Sequence, residues 1–313
     1  MKNTQAKLSP PVNNALSSSV HVPILLEEVI TCLNIQPGDT VIDGTINGGG
    51  HALRILEEIG ETGMLIGIDR DGGIIKNTDA LFREKGYKNY LLVTGSYADV
   101  VPITNDHAIK NTDAILLDLG FSSYHVDMSG RGFSFLRDEP LDMRYSESDT
   151  ITAADILNEW AEGDIEHILT AYGEERFAKR IAHAVIKRRK EQRFSRTEDV
   201  VDVVRRNVPT WYRHRKIHFA TKTFQALRIA VNDELEHVAK GLTESISILK
   251  PGGRLVVLAF HSQEDRIVKQ TFRKYAKEEI ITLPHKKPIM PARKEIYINP
   301  RARSAKMRVC EKI

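Results

Sequence analysis

The run Val41-Ile42-Asp43-Gly44-Thr45-Ile46-Asn47-Gly48-Gly49-Gly50-His51 carries a short apolar stretch into an acid and then into a glycine-rich turn. A second apolar run, Met64 to Ile68, ends in Asp69, and a third, Ala114 to Leu117, ends in Asp118. Carboxylates in such places accept hydrogen bonds from hydroxyls or offset a positive charge. The glycines let backbone approach a ligand closely, and the helix that follows offers its first N–H groups. An acid at the end of the second strand suits the two hydroxyls of a ribose.

Two kinds of nucleotide cofactor use this arrangement. Dinucleotides need Gly-x-Gly-x-x-Gly directly after the strand, with the pyrophosphate over the helix N-terminus. S-adenosylmethionine has no phosphate; it brings a sulfonium and an ammonium. Asp43 stands before the glycines, and a carboxylate suits a cation better than a pyrophosphate, so the segment favours adenosylmethionine. The plainer alternative is a glycine loop that only turns a strand into a helix.

These residues need a sheet to hold them. Strands are expected at Thr40 to Asp43, Met64 to Asp69, Tyr90 to Thr94 and Ala114 to Asp118. The last is nearly all apolar, as a central parallel strand is. Helical periodicity fills the gaps, with an apolar stripe of Leu25, Leu26, Val29 and Ile30 before the first strand. This rhythm predicts a doubly wound α/β sheet. From about 129 to 215 the pattern is helical only, with helices expected at Ala153 to Trp160, Asp164 to Tyr172, Glu175 to Arg189 and Thr197 to Asn207. The alternation resumes with one long helix, Ala220 to Leu249, stopped by Pro251-Gly252-Gly253. Strand Arg254 to Phe260, helix Ser262 to Ala276 and a last strand Ala305 to Glu311 follow. The expected organisation is a tail at 1–20, a discontinuous cofactor-binding domain at 21–128 and 216–313, and an inserted all-helical domain at 129–215.

The 313 residues are 41% hydrophobic and 28% charged, as in a soluble globular protein. No apolar run approaches the roughly 20 residues that span a bilayer. The first twenty residues are polar and lack the apolar core of a signal peptide, so they read as a disordered tail. Cys32 and Cys310 lie far apart, outside any metal-ligand spacing. That argues against zinc or a disulfide framework and fits a cytoplasmic protein. The net charge of +3 hides two basic clusters, Arg176 to Lys216 and the C-terminal segment from Lys286 to Arg308. A single run of this kind is commonly a solvated face. Two beside a cofactor fold point to a polyanionic substrate.

Asp118-Leu119-Gly120-Phe121-Ser122-Ser123 ends the fourth strand, where such sheets bind ligands. Enzymes that methylate exocyclic amines of bases carry a polar-x-x-aromatic loop here. The amine lone pair is delocalised into the ring. Acceptors on the N–H groups help the nitrogen turn tetrahedral, and an aromatic ring can stack on the extruded base. Asp118 and Phe121 have that spacing without the usual prolines; a strand-end cap is the alternative. Phe260-His261-Ser262-Gln263-Glu264-Asp265-Arg266 follows the later strand on the same face. Ser262 reads as the cap of a helix whose dipole Glu264 and Asp265 favour, while His261 either belongs to that start or lines the pocket. The candidate catalytic residues are Asp118, Ser122 and His261. Arg144 and the Gly173-Glu174-Glu175-Arg176 turn also fit purely structural ion pairs.

Taken together, Asp43-Gly44-Thr45, Gly49-Gly50-His51, Leu116-Leu117-Asp118-Leu119-Gly120, Arg131-Gly132-Phe133-Ser134-Phe135, Pro140-Leu141-Asp142-Met143-Arg144, Tyr172-Gly173-Glu174-Glu175-Arg176, Thr223-Phe224-Gln225-Ala226-Leu227-Arg228, Phe260-His261-Ser262 with Glu264-Asp265-Arg266-Ile267-Val268-Lys269, and Asn299-Pro300-Arg301-Ala302-Arg303-Ser304 resemble the bacterial small-subunit ribosomal RNA cytosine-N4 methyltransferases, the RsmH/MraW family. The motifs run from His21 to Val309 in family order. The resemblance implies a Rossmann-like class I methyltransferase sheet and methylation of a cytidine N4 in the decoding region, with S-adenosylmethionine as cofactor. The partner would be small-subunit ribosomal RNA or the assembled small subunit. It implies cofactor contacts at Gly49, Gly50, His51, Asp69, Tyr97, Asp118 and His125. The helical insertion and basic C-terminus would hold RNA through Arg188, Arg189, Arg206, Arg301 and Arg303. The chain departs from the family at Tyr97 (usually phenylalanine), His125 (glutamine), Tyr124 and Phe219 (proline), Ala259 (serine) and Gln263 (leucine). Two rivals are a non-catalytic ribosome assembly factor, which loss of Asp69 or Asp118 would have favoured, and a nicotinamide-dependent dehydrogenase, which Asp43 before the glycines disfavours.

Overall fold

The computed structural model describes residues 23–120, 126 and 129–313. The expected tail at 1–20, together with Phe121, Ser122, Tyr124 and His125, lies outside the described residues. A seven-stranded sheet organises the chain. In chain order its strands are β1 (Thr40–Asp43), β2 (Met64–Asp69), β3 (Tyr90–Thr94), β4 (Thr112–Asp118), β5 (Leu249–Ala259), β6 (Ile281–Thr282) and β7 (Lys306–Lys312). Their spatial order is β3-β2-β1-β4-β5-β7-β6. β1 to β5 are parallel, and β7 runs antiparallel between β5 and β6. β1 pairs with β2 on one side and β4 on the other, so the chain reverses its winding at β1. That reversal opens a crevice above the carboxyl ends of β1, β2 and β4, where Asp43, Asp69 and Asp118 sit.

Both faces of the sheet are covered, as the continuous apolar strands require. Val41, Leu65, Leu116 and Val256 point into one apolar layer with α1 (Leu26–Leu33), α2 (Gly50–Ile59) and α3 (Gly72–Glu84). Their neighbours Ile42, Ile66, Leu117 and Val257 point into the opposite layer with α4 (Val100–Asp106) and two later helices. This alternation is the period-2 consequence of the pleat.

The inserted helices are α5 (Ala153–Glu159), α6 (Glu162–Ala171), α7 (Ala178–Glu191), α8 (Thr197–Asn207) and the short α9 (Thr210–Arg213). Thr152 caps α5 in a reciprocal box with Asp155. The apolar cluster of this unit starts at Phe133 and continues through Phe219, Phe224, Leu227 and Val231, beyond the expected end at 215.

The expected single helix from Ala220 to Leu249 is instead two, α10 (Thr221–Asn232) and α11 (Glu234–Ile248). Asp233 between them adopts a left-handed conformation, φ 49°, which aspartate tolerates better than most side chains. The break is held by side chains no local pattern reveals. Asn232, 1% exposed, donates to the Met143 carbonyl at 2.8 Å and accepts from the Tyr145 N–H at 2.8 Å. Glu234 pairs with Arg228 and accepts from the Tyr145 hydroxyl at 2.8 Å. Pro251-Gly252-Gly253 lies within the leading end of β5 rather than at the helix stop. The last helices are α12 (Ser262–Lys277) and α13 (Arg293–Ile298). β6 and α13 were not anticipated: one is two residues long and the other six, too short for periodicity to register.

Candidate functional site

The glycine loop is stitched across the strand ends. The Asn47 N–H donates to Asp69 Oδ2 at 3.2 Å, and its side-chain amide donates to the Asp118 carbonyl at 3.2 Å. The Asp118 N–H in turn donates to Thr45 Oγ1 at 2.6 Å. Gly49 sits at φ +85°, where a side chain is strained, and forms the N-cap of α2. Gly50 lies against Pro23, and a Cβ there would meet Pro23 Cγ at 2.7 Å. Among the described residues both glycines shape the loop, whereas Gly44, Thr45 and Asn47 line the cleft it borders.

That first cleft, about 570 Å³, is also lined by Asp69, Arg70, Tyr97, Tyr145, Glu234, His237 and Glu264. Asp69 is 9% exposed and accepts from the Asn47 and Asp71 N–H groups, which aim its carboxylate along the cleft wall. Arg70 is pinned by Asp149 at 3.0 Å and by the Asn232 carbonyl at 2.8 Å. Glu264 is 1% exposed and accepts from the Phe260 N–H at 2.8 Å. Burial pushes its pKa up, but the neighbouring His261 and Arg228 outweigh that and hold the carboxyl below its usual range. The helix-start reading of Glu264 therefore holds, and the same side chain also faces the cleft. Tyr97 follows β3 in a single 3-10 turn with its ring against Gly241.

A second cleft of about 1410 Å³ meets the first at Asn47 and Gly120. Four phenylalanines line it (Phe133, Phe135, Phe224 and Phe260), with Asp118, His261, Arg228, Arg301 and Arg303. Asp118 stands near the junction. Its Oδ2 lies 3.5 Å from His51 Nδ1. Its Oδ1 is buried and has no hydrogen-bond partner among the described residues. The cap of α12 is His261 rather than Ser262: its Nδ1 accepts from the Glu264 N–H, while the ring also borders the second cleft.

Sequence reasoning placed some groups differently. His51 does not border either cleft. It is 6% exposed, behind Asp118, with Nε2 3.1 Å from the Ile24 carbonyl. Arg188 and Arg189, expected to hold RNA, are turned into the helical unit. Arg188 pairs with Asp199 at 2.7 Å, and Arg189 donates to the Trp160 carbonyl at 2.7 Å and the Leu157 carbonyl at 3.2 Å. Their guanidinium donors tie helices together. Arg206, by contrast, has an 80% exposed side chain, and Arg301 and Arg303 sit at the rim of the second cleft. Arg144 takes the structural option, gripping Asp142 with two bonds of 2.8 Å. Glu175 likewise accepts from the buried Tyr212 hydroxyl at 2.9 Å. Tyr145, Glu234 and His237 were missed because their neighbours in sequence carry no strand-end or glycine signal. Ser122 and His125 fall outside the described residues.

Glu234, His261 and Glu264 lie close enough to hold a cation, but the Arg228 guanidinium already pairs with Glu234 at 2.9 Å, so no metal is assigned. The residues do fit S-adenosylmethionine. Asp69 would offer acceptors to a ribose, and Asp69 and Glu264, with the Arg228-paired Glu234 beside them, would face a sulfonium and an ammonium. Arg70, the cation that could have held a phosphate, is committed elsewhere. The doubly wound sheet of order 3-2-1-4-5-7-6 with an acidic cleft over its switch point is that of an S-adenosylmethionine-dependent methyltransferase, and this chain is one.

Comparison with known proteins narrows the class. The sequence profile of the MraW methylase family matches residues 18–313, and the chain belongs to that family. Ribosomal RNA small subunit methyltransferase H of Dictyoglomus thermophilum is 46% identical over 298 residues, covering 94% of this chain and 97% of that protein. The protein of the same name from Trichlorobacter lovleyi is 42% identical over 308 residues, covering 94% and 98%. A Streptococcus mutans protein in complex with SAH has a TM-score of 0.47 at 11% identity, covering 93% of this chain and 99% of that one.

Proposed function

We propose that this enzyme methylates the exocyclic N4 amine of a cytidine in the decoding region of small-subunit ribosomal RNA. The names of its relatives support the RNA class. The observation that carries the reading of the site is Asp118 Oδ1, buried without a partner among the described residues, beside the junction of an acidic cleft and a phenylalanine-lined one.

An amine on an aromatic ring is a poor nucleophile because its lone pair is shared with the ring. A carboxylate holding one N–H favours the tetrahedral nitrogen and stabilises the positive charge that grows on it. Bound S-adenosylmethionine supplies the electrophilic methyl group from the first cleft. The chain does the rest by orientation. Asp69 takes the ribose hydroxyls, Tyr97 and His125 flank the adenine, and Glu234 and Glu264 face the cationic end. Gly49 and Gly50 give the loop its shape. Phe133, Phe135, Phe224 and Phe260 receive a flat base drawn out of its stack. Ser122, four residues after Asp118 in the chain, and His261, which also borders the second cleft, complete the surroundings of the amine. Arg206, Arg301 and Arg303 meet the phosphates, on the helical unit and the C-terminal segment. A ribosomal substrate places the work in the cytoplasm.

The test is methyl transfer from labelled S-adenosylmethionine to stripped small-subunit RNA and to assembled small subunits, followed by nucleoside mass spectrometry and mapping. N4-methylcytidine in the decoding region is expected. Label on cytosine C5, on ribose, or only outside that region overturns the reading.

A further inference from the structure

We infer that His51 is a positioning residue that shares a proton with Asp118 and keeps that carboxylate turned toward the second cleft. The inference rests on the proposal that Asp118 meets the target amine. His51 is the second residue of α2 and is 6% exposed. Its Nε2 lies 3.1 Å from the Ile24 carbonyl. A carbonyl only accepts, so Nε2 must carry a hydrogen. Its Nδ1 lies 3.5 Å from Asp118 Oδ2. In a neutral ring with hydrogen on Nε2, the bare Nδ1 lone pair would face a carboxylate oxygen in a buried site. A proton between the two removes that clash. At 3.5 Å the link is long for a hydrogen bond, so charge carries most of it.

The surroundings call for a cation. Asp118 faces the ring from β4 and Asp43 from β1, with Asp69 beyond Asp43; the Ile24 carbonyl faces it from the α1 side. Burial opposes a charge on His51, but Asp118 and Asp43 outweigh it and raise the ring's pKa. Asp43 is pushed up to about 7, chiefly by burial, even with His51 beside it. Three acids crowd one buried corner, and an imidazolium offsets their charge there. With Oδ2 held by the ring, Oδ1 is the oxygen left for the cleft. This role explains why a side chain behind the cofactor cleft belongs to its motif.

Single-turnover methylation of RNA at saturating S-adenosylmethionine, followed against pH, tests the inference. Removing the cation leaves the buried carboxylates without their counter-charge, so the acid limb of the rate moves to higher pH and the rate recovers above it. His51→Leu should shift the limb by about one unit, a tenfold loss within it. His51→Asn keeps a donor at the Nδ1 position and should shift it less. A loss equal at every pH, or a limb that does not move, overturns the role. Nitrogen-15 spectra of the wild-type enzyme decide even where the variants misfold. Both ring nitrogens of His51 should be protonated at neutral pH, and a bare Nδ1 refutes the shared proton. If the ring is doubly protonated while Asp118→Asn reacts at the wild-type rate, the shared proton stands, and the reading of Asp118 as amine acceptor is what fails.

Discussion

Asp69→Ala should weaken cofactor binding far more than it weakens the fold. The carboxylate accepts from the Asn47 N–H at 3.2 Å and the Asp71 N–H at 2.9 Å. A carboxylate has about four acceptor positions, so these two do not exhaust it. Alanine strands two backbone donors, a cost of about 1–3 kcal/mol each where water is excluded. Asn47 lines the open cleft, which places its donor at the lower end, whereas the Asp71 bond is buried. The change also removes one of the acids that push Asp43 upward, a partial offset. The ribose contact has no such compensation. Hydrogen bonds to a charged group contribute about 1.5–3 kcal/mol, which is roughly ten- to a hundredfold in affinity. Calorimetric titration with S-adenosylhomocysteine and with its 2′-deoxy analogue gives the test. Wild type should lose affinity when the hydroxyl is removed, and Asp69→Ala should lose much less on the same change, because the partner is already gone. A folded mutant with an unchanged dissociation constant would refute the assignment. So would a deoxy penalty of equal size in both proteins, which would place the ribose elsewhere.

Other expectations follow from the same geometry. Asp118→Asn keeps shape and one acceptor but loses the charge, so single-turnover methyl transfer should fall by ~10²–10³ while cofactor affinity is largely kept; equal losses of both would make Asp118 a cofactor ligand. Replacing Arg206, Arg301 and Arg303 by glutamine should flatten the plot of log RNA affinity against log salt by about 2, at roughly 0.7 counterion per single-strand phosphate. The same change at Arg188 and Arg189 should instead lower thermal stability and leave the salt slope nearly unchanged. Asn232→Ala removes three bonds of a buried side chain, to the Met143 and Arg228 carbonyls and from the Tyr145 N–H, and should cost about 2–4 kcal/mol in urea unfolding. A loss below about 1 kcal/mol there would mean that the 143–145 segment is held by other contacts.

Features with a local cause were legible in the residues. The three parallel strands β1, β2 and β4 at the switch point were readable because each is a short apolar run ending in an acid, and parallel pairing brings those ends together whatever lies between. Helix Thr197–Asn207 appears at its expected bounds, since its acids and its apolar stripe lie within a few residues of one another. The split at Asp233 was not readable. A helical pattern runs straight through it, and what breaks the helix is Asn232 reaching a segment 87 residues away.

The same distinction governs the site. Asp43, Asp69, Asp118 and the glycine turn follow from the sequence because strand ends and turns are local. The wall of the cofactor cleft is another matter: Tyr145, Glu234, His237 and Glu264 arrive from the insertion and the helices after it, and only packing brings them beside Asp69. The arginines make the point most sharply. By sequence Arg188, Arg189 and Arg206 are equivalent members of one basic cluster. In the structure two are engaged by Asp199 and by the Trp160 carbonyl, and one faces solvent. Sequence dictates how much charge a segment carries, but the free energy of a charge depends on its neighbours in space, and those are chosen only when the chain folds.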